Sequence, residues 1–369
     1  MHSNSSFIAR PSLGLLSSKL PLKALALGVV IMPFNSLNAE KSHQYNTVVN
    51  TNVLTVVAVE SPTTAFKDGE FLHGFGYDLA RNYAKSLNVK LNFKTVPDNA
   101  SALKMVAQGK ANLAMTTASL ANIESQQLVS FSASCGDATA LSKNGLNPEL
   151  NWVFKQADDP LTLTASGFVC QSKQSGTTQQ LASFYNRNVV KPESWTTIKK
   201  DLNQRLPIYK ASFKQSAAKY DLDWHLLAAI GYQESYLKPG SVSPTGVRGL
   251  MMLTNNTAKA MGVSNRTDPA QSIQGGAKYY DHMLDLFSDV AYPDRNWYAL
   301  VAYNMGPGAV KQIQKRIQAQ GKDPNQWVNL YEYLQRNQAK NGRHKQALQY
   351  VTRIRAYLEH IKTNNRVDV

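Results

Sequence analysis

Residues 221–239 read DLDWHLLAAIGYQESYLKP, and this stretch decides the fold of the second half of the chain. Trp224, Leu227, Gly231 and Glu234 follow one another at spacings of three, four and three, which puts them on one face of a helix. Asp221 or Asp223 stands where a helix N-cap is expected, and Pro239-Gly240 is the expected stop. The face is otherwise apolar, so Glu234 is carried into or beside a core. A carboxylate there costs free energy unless it is paired or protonated. Desolvation raises its pKa, so it can hold a proton near neutral pH. That is the property a general acid needs to protonate a glycosidic oxygen. Position alone does not decide the matter, because most helical glutamates are solvated.

The flanking blocks decide it. They are SPTGVRGLMMLTNNTA at 243–258, ALVAYNMGPGAV at 299–310 and ALQYVTRIRAYL at 347–358. Each has an ordinary reading. Ser243 before Pro244 fits a turn, and Met251, Met252 and Leu253 fit plain core. Tyr303-Asn304 fits a helix-to-turn junction closed by Gly306-Pro307-Gly308. Tyr350, Ile354, Tyr357 and Ile361 form a helical core stripe. Together and in this order, the blocks resemble the soluble lytic transglycosylase family, which is related to goose-type lysozyme. The resemblance spans about 160 residues. It implies that Glu234 is the catalytic acid/base and that Ser243 stands beside the sugar at the cleavage site. It also implies that Met251 and Leu253 line the groove or pack beneath it, that Tyr303 and Asn304 contact substrate, and that Tyr350 lies near the glutamate. Met252 stands in the substrate-binding block where many members carry Gln, which removes a polar contact. Gln346 stands where many carry Glu, which puts a structural ion pair in doubt.

Upstream, VLTVVAV at 53–59 is a β-branched, apolar strand. In the following helix Leu79, Tyr83 and Leu87 recur every fourth residue. VKLNFKTV at 89–96 alternates as a strand, 100–108 reads as a helix stopped by Gly109, and 113–117 is extended. This βαβαβ pattern argues for a parallel sheet. The runs VLTVVAVES, GFGYDLARNYAKSLNVKLNF and ALKMVAQGKANLAM resemble the first lobe of a periplasmic solute-binding domain (family 3). Ser125 stands where that family usually carries a ligand-gripping arginine. Only residues 136 to about 195 remain for a second lobe. The segment 171–200 is polar and linker-like.

The fold class is therefore α+β and multidomain: a truncated N-terminal α/β lobe of periplasmic-binding-protein type at 40–195, then an all-α, lysozyme-like catalytic domain at 205–369. All motif blocks lie beyond 205, so a chain lacking 40–195 is expected to keep bond cleavage. Residues 1–39 read as a signal peptide. Arg10, Lys19 and Lys23 precede the apolar run ALALGVVIMPF at 24–34, and Leu37-Asn38-Ala39 ends on a small residue. The run is too short to span a bilayer, which takes about 20 apolar residues. The expected location is the periplasm of a Gram-negative cell, peripheral at the outer membrane. In an oxidising compartment Cys135 and Cys170 could pair or remain two buried thiols. Seven scattered histidines without HExxH or paired spacing give no metal site, and no cofactor is expected.

The formal charge is +15, and residues 200–369 hold 23 Lys+Arg against 13 Asp+Glu. A basic surface favours polyanions, and for an exported protein the cell wall and anionic membrane surfaces are nearer than nucleic acid; charge alone does not assign a function. The expected partners are peptidoglycan glycan strands, with a muropeptide or another small ligand at the N-terminal domain, or a wall-docking role for it. Two-carboxylate glycosidases hold their acids about 5–9.5 Å apart, and the motif blocks supply one. Asp268, Asp281 and Asp285 are the remaining acids considered. The resemblance implies attack by the muramic acid C6 hydroxyl on its own C1, leaving a 1,6-anhydro end. Hydrolysis by a lysozyme-like muramidase, or non-catalytic binding of wall fragments, are the alternatives.

Overall fold

The computed structural model describes residues 43–68 and 71–364; the leader read at 1–39 lies outside them. The N-terminal half holds strands β1 (Val53–Val59), β2 (Phe66–Asp68), β3 (Phe71–His73), β4 (Lys90–Val96), β5 (Leu113–Thr116), β6 (Val129–Ser132) and β7 (Asn151–Phe154). With them run helices α1 (Gln44–Thr51), α2 (Phe75–Ser86), α3 (Asn99–Ala107), α4 (Leu120–Glu124), α5 (Ala138–Ser142), α6 (Pro160–Gln174) and α7 (Thr177–Phe184). The long α8 (Pro192–Lys219) leads into α9 (Trp224–Ser235), α10 (Asn255–Met261), α11 (Pro269–Leu286), α12 (Asp294–Met305), α13 (Pro307–Ala319), α14 (Trp327–Asn337) and α15 (Gly342–Asn364).

The main sheet has five strands in the order β4-β1-β5-β7-β6. β1 runs parallel to both β4 and β5, as the βαβαβ pattern predicts, and pairs from Val53↔Lys90 to Val59↔Val96. β7 is antiparallel to β5 and to β6. The sequence reading missed β6 and β7, which are four residues each and show no clear alternation. It also missed the β2–β3 hairpin. Between β6 and β7 the chain makes only a short excursion carrying α5. Cys135 of this excursion is bonded to Cys170 of α6, with Cα atoms 5.0 Å apart. That bond resolves the choice left open between a pair and two thiols.

The linker-like reading of 171–200 is wrong. These residues finish α6 and form α7 and the start of α8, with Leu181, Ala182, Phe184 and Ile198 buried. Their many Ser, Thr and Gln side chains occupy the solvent face, and sparse apolar positions do the packing. Phe184 sits edge-on to Trp297, Trp327 and Tyr331, with centroids 5.2, 5.0 and 5.7 Å away. One apolar core runs from the sheet through these rings into the helical half. Polar groups join the halves as well. Arg81 of α2 reaches Asp294 at 2.6 Å, and Asp294 also accepts the Trp327 backbone N–H at 2.8 Å. Arg355 of α15 is fully buried and donates to the Asn186 carbonyl at 2.6 Å. A chain lacking 40–195 would expose this shared core, which reverses the expectation that cleavage survives the deletion.

α9 is the centre of the helical half. Leu226 to Tyr232 are buried without interruption, so the helix is apolar all round and not only on the Glu234 face. α8, α11 and α15 pack around it. Asp223, rather than Asp221, caps it by accepting the His225 N–H. The helix stops at Ser235, before Pro239-Gly240. Tyr236 and Leu237 adopt left-handed conformations at φ 55° and 57°. Such conformations cost a non-glycine residue about 1–2 kcal/mol each. Buried Leu237 holds one side of this turn in the core.

Candidate active site

Glu234 sits on the last turn of α9, two residues before the left-handed pair, and is half-buried. α15 places Tyr350 against it: the Tyr350 hydroxyl donates to Glu234 Oε1 at 2.6 Å. Burial pushes the Glu234 carboxyl up to about 7, and the Tyr350 hydrogen bond opposes the rise by stabilising the ionised form. At neutral pH the group is therefore divided between acid and carboxylate. Burial, and the negative charge of Glu234, hold the Tyr350 and Tyr303 phenols well above their usual range, so both remain hydrogen-bond donors.

Among the described residues no second carboxylate bears on Glu234; burial and Tyr350 account for its shift. The acids considered from the sequence are used elsewhere. Asp268 caps α11 by accepting the Gln271 N–H. Asp285 is exposed, and Asp281 beside it is raised by burial and then by the Asp285 charge.

The loop after α9 forms the neighbouring wall. The Ser235 hydroxyl donates to the carbonyls of Gly231 at 3.1 Å and Leu250 at 2.9 Å, tying the loop to the end of the helix. Gly249 has φ 88°, and a Cβ there would lie 1.8 Å from the Arg266 carbonyl oxygen, so this approach requires glycine. Met251 is wholly buried beneath the loop. The absence of a side chain on Gly276 makes room for it, since a Cβ there would come within 2.6 Å of Met251. The Met251 side chain is thus a support and not a substrate contact. Its backbone is held from two helices: its N–H donates to Ser272 Oγ at 3.1 Å, and its carbonyl accepts the Tyr303 hydroxyl at 3.1 Å. Leu253 is buried too, while Met252 is half-exposed with φ 46°.

Tyr303 of α12 lies parallel to Tyr350, with centroids 6.4 Å apart and planes 16° apart. Tyr279 of α11 stands edge-on to Tyr303 at 5.0 Å and is half-buried. The sequence reading missed Tyr279; the one signal available was its place seven residues before Leu286 on an α11 face, which any packed tyrosine shares. Asn304 is half-buried next to Tyr303. Ser243 is not a hydrogen-bond partner of Glu234. Its Oγ accepts the N–H groups of Thr245 and Val247, both at 3.2 Å, and so closes its own turn.

Ser125 closes α4 with its hydroxyl on the Asn122 carbonyl. A cavity of about 510 Å³ opens at the carboxyl ends of β1 and β5, lined in part by Thr63, Asn99, Thr116, Asn147 and Arg187. Crevices at strand carboxyl ends are where open α/β sheets place ligands.

With this geometry in place, known proteins can be compared. Residues 211–326 match the transglycosylase SLT domain, and residues 54–188 match the bacterial extracellular solute-binding proteins, family 3. Membrane-bound lytic murein transglycosylase F of Stutzerimonas stutzeri (strain A1501) is 32% identical over 404 residues, covering 85% of this chain and 83% of that protein. The chain belongs to the membrane-bound lytic murein transglycosylase F family. Two further members are more similar over shorter spans. The protein of Ectopseudomonas mendocina (strain ymp) is 38% identical over 63% of this chain and 47% of its own length. That of Pseudomonas fluorescens (strain Pf0-1) is 45% identical over 50% of this chain and 39% of its own. The solute-binding match stops within the turn before α8. Tyr350 lies beyond the SLT match and reaches Glu234 through α15.

Proposed function

We propose that the chain is a peptidoglycan lytic transglycosylase in which Glu234 acts alone as acid and then base. The observation that carries this reading is a half-buried carboxyl with one phenolic donor and, among the described residues, no carboxylate partner; burial raises its titration to about 7. Protonated Glu234 gives its proton to the oxygen linking N-acetylmuramic acid C1 to the next N-acetylglucosamine, and the C1–O bond breaks. The resulting carboxylate, steadied by Tyr350, takes the proton of the muramic acid C6 hydroxyl as O6 bonds to C1. The products are a free 4-hydroxyl and a 1,6-anhydro end, with no water consumed. Buried Tyr350 serves the carboxyl, and the sugars are assigned to half-buried Tyr303, Asn304 and Met252 beside the Ser243 turn.

In this reading the protein is exported and works in the cell envelope, in the periplasm at the outer membrane. No helix among the described residues is long and apolar enough to cross a membrane. The cavity at the strand ends is the place for a muropeptide or another small ligand of the N-terminal half, with Arg187 as a cation on its wall.

The test is mass spectrometry of fragments released from purified sacculi by residues 40–369, run beside Glu234→Gln. Anhydro-muramyl products from the unsubstituted protein alone support the proposal. Reducing-end products would make it a hydrolase, and binding without release would make it a wall-binding protein.

A further inference from the structure

Two adjacent left-handed residues without glycine end the helix that carries Glu234, and something must hold them there. Tyr236 is 55% exposed, and its ring meets only the edge of Tyr232 among aromatic neighbours in the described residues, at 5.6 Å. Its carbonyl, however, accepts a hydrogen bond from Arg205 of α8 at 2.9 Å. Asp201 fixes that guanidinium from one turn back at 2.7 Å. The Tyr232 hydroxyl, on α9 itself, reaches Asp201 at 3.3 Å. An exposed Arg–Asp pair on one helix would by itself contribute little. Here the pair spans to the neighbouring helix and ends on the carbonyl of the strained residue.

We propose that Arg205 is a positioning residue: by holding the Tyr236 carbonyl it keeps the Tyr236–Leu237 turn left-handed, and so keeps Glu234 aimed at Tyr350. The inference rests on the acid/base role given to Glu234 above. Without the guanidinium, Tyr236 is free to relax toward the right-handed region that its side chain favours. The last turn of α9 then rewinds, and Glu234 leaves the enclosure that raises its titration. Glycine occupies the left-handed region without a steric cost. Tyr236→Gly therefore removes the need for the arginine.

The experiment uses the chain from residue 40 with ¹³C-labelled glutamate carboxyls, and Glu234→Gln identifies the Glu234 signal. In Arg205→Ala the Glu234 titration is expected to move down from near 7 by about one pH unit, toward the ordinary carboxylate range. In the same variant kcat on glycan strands is expected to fall about 10- to 100-fold, as small misplacements of a catalytic group do, with KM within about twofold. Adding Tyr236→Gly to Arg205→Ala is expected to restore both. A variant that only melts at a lower temperature, with titration and kcat unchanged, would overturn the inference. So would a double variant that stays impaired, or a loss carried by KM alone. If the unsubstituted chain releases no anhydro products, the proposed function fails, and the carboxyl titrations still decide the role of Arg205.

Discussion

At the scale of residues, the chemistry rests on one carboxyl and one phenol. The general acid must be protonated, so kcat/KM is expected to fall as pH rises past about 7, measured on glycan strands across pH 5–9. Tyr350→Phe removes the donor that favours the ionised form. The limb is then expected to move upward by about one pH unit, while turnover falls because the returning base is no longer held. A limb that stays put would show that the phenol does not touch the carboxyl in solution. The same burial has a stability consequence. The folded-state titration of Glu234 lies above its ordinary value of 4.5, so the folded protein is favoured by the protonated form. That advantage is complete below about 4.5 and is lost as pH rises through 7. Glu234→Gln should therefore be more stable than the unsubstituted protein at pH 8, by about 2–3 kcal/mol. The difference should shrink toward pH 5, and urea denaturation at the two pH values measures it.

At the scale of elements, the loop between α9 and α10 is shaped by glycine at a contact too close for any side chain. Gly249→Ala places a methyl on the Arg266 carbonyl at an already positive φ. It should cost 3 kcal/mol or more, in the range of large single-site losses of about 4–5 kcal/mol, and should lower turnover because Met251 carries the Tyr303 contact. Denaturation midpoints together with turnover check it; a neutral variant would show that the loop can shift without harm. The disulfide belongs to this scale too. It closes a loop over a separation of 35 residues, for which chain entropy gives about 4 kcal/mol. Cys135→Ser with Cys170→Ser is expected to lose about 2–4 kcal/mol with cleavage intact below the lowered melting point, because neither residue is near Glu234 in the fold.

At the scale of the whole molecule, the α/β half and the helical half are one folding unit. Phe184 fills the space among Trp297, Trp327 and Tyr331, and buried aromatic rings of this kind cover about 150–250 Å² each. Arg81 neutralises Asp294, which in turn holds the first N–H of α14. Removing residues 40–195 takes Arg81 from Asp294 and the Asn186 carbonyl from Arg355, which keeps only Glu359. It also takes Phe184 from Trp297, Trp327 and Tyr331 and exposes those rings to water. The truncated chain is expected to be insoluble or molten, by near-ultraviolet circular dichroism and gel filtration. A soluble, active truncation would mean that the helical half repacks these surfaces by itself.

The sequence by itself determined the parts whose signal is local. The βαβαβ run gave the parallel core of the sheet because period and β-branching are written in adjacent residues. Spacing put Glu234 on an apolar face, and the ordered blocks identified the family. The short β6 and β7 were illegible, since four residues carry too little pattern. Tertiary structure alone decided that the polar stretch before α8 is core-forming helix, because a few buried side chains outweigh many exposed polar ones. It decided that Met251 supports the groove and does not face it, because burial depends on what packs above. It decided where α9 ends, because a left-handed pair without glycine holds only where a neighbouring helix pins it. And it decided that Tyr350 meets Glu234 across 116 residues of chain, since only the packing of α15 on α9 brings so distant a phenol to the carboxyl it serves.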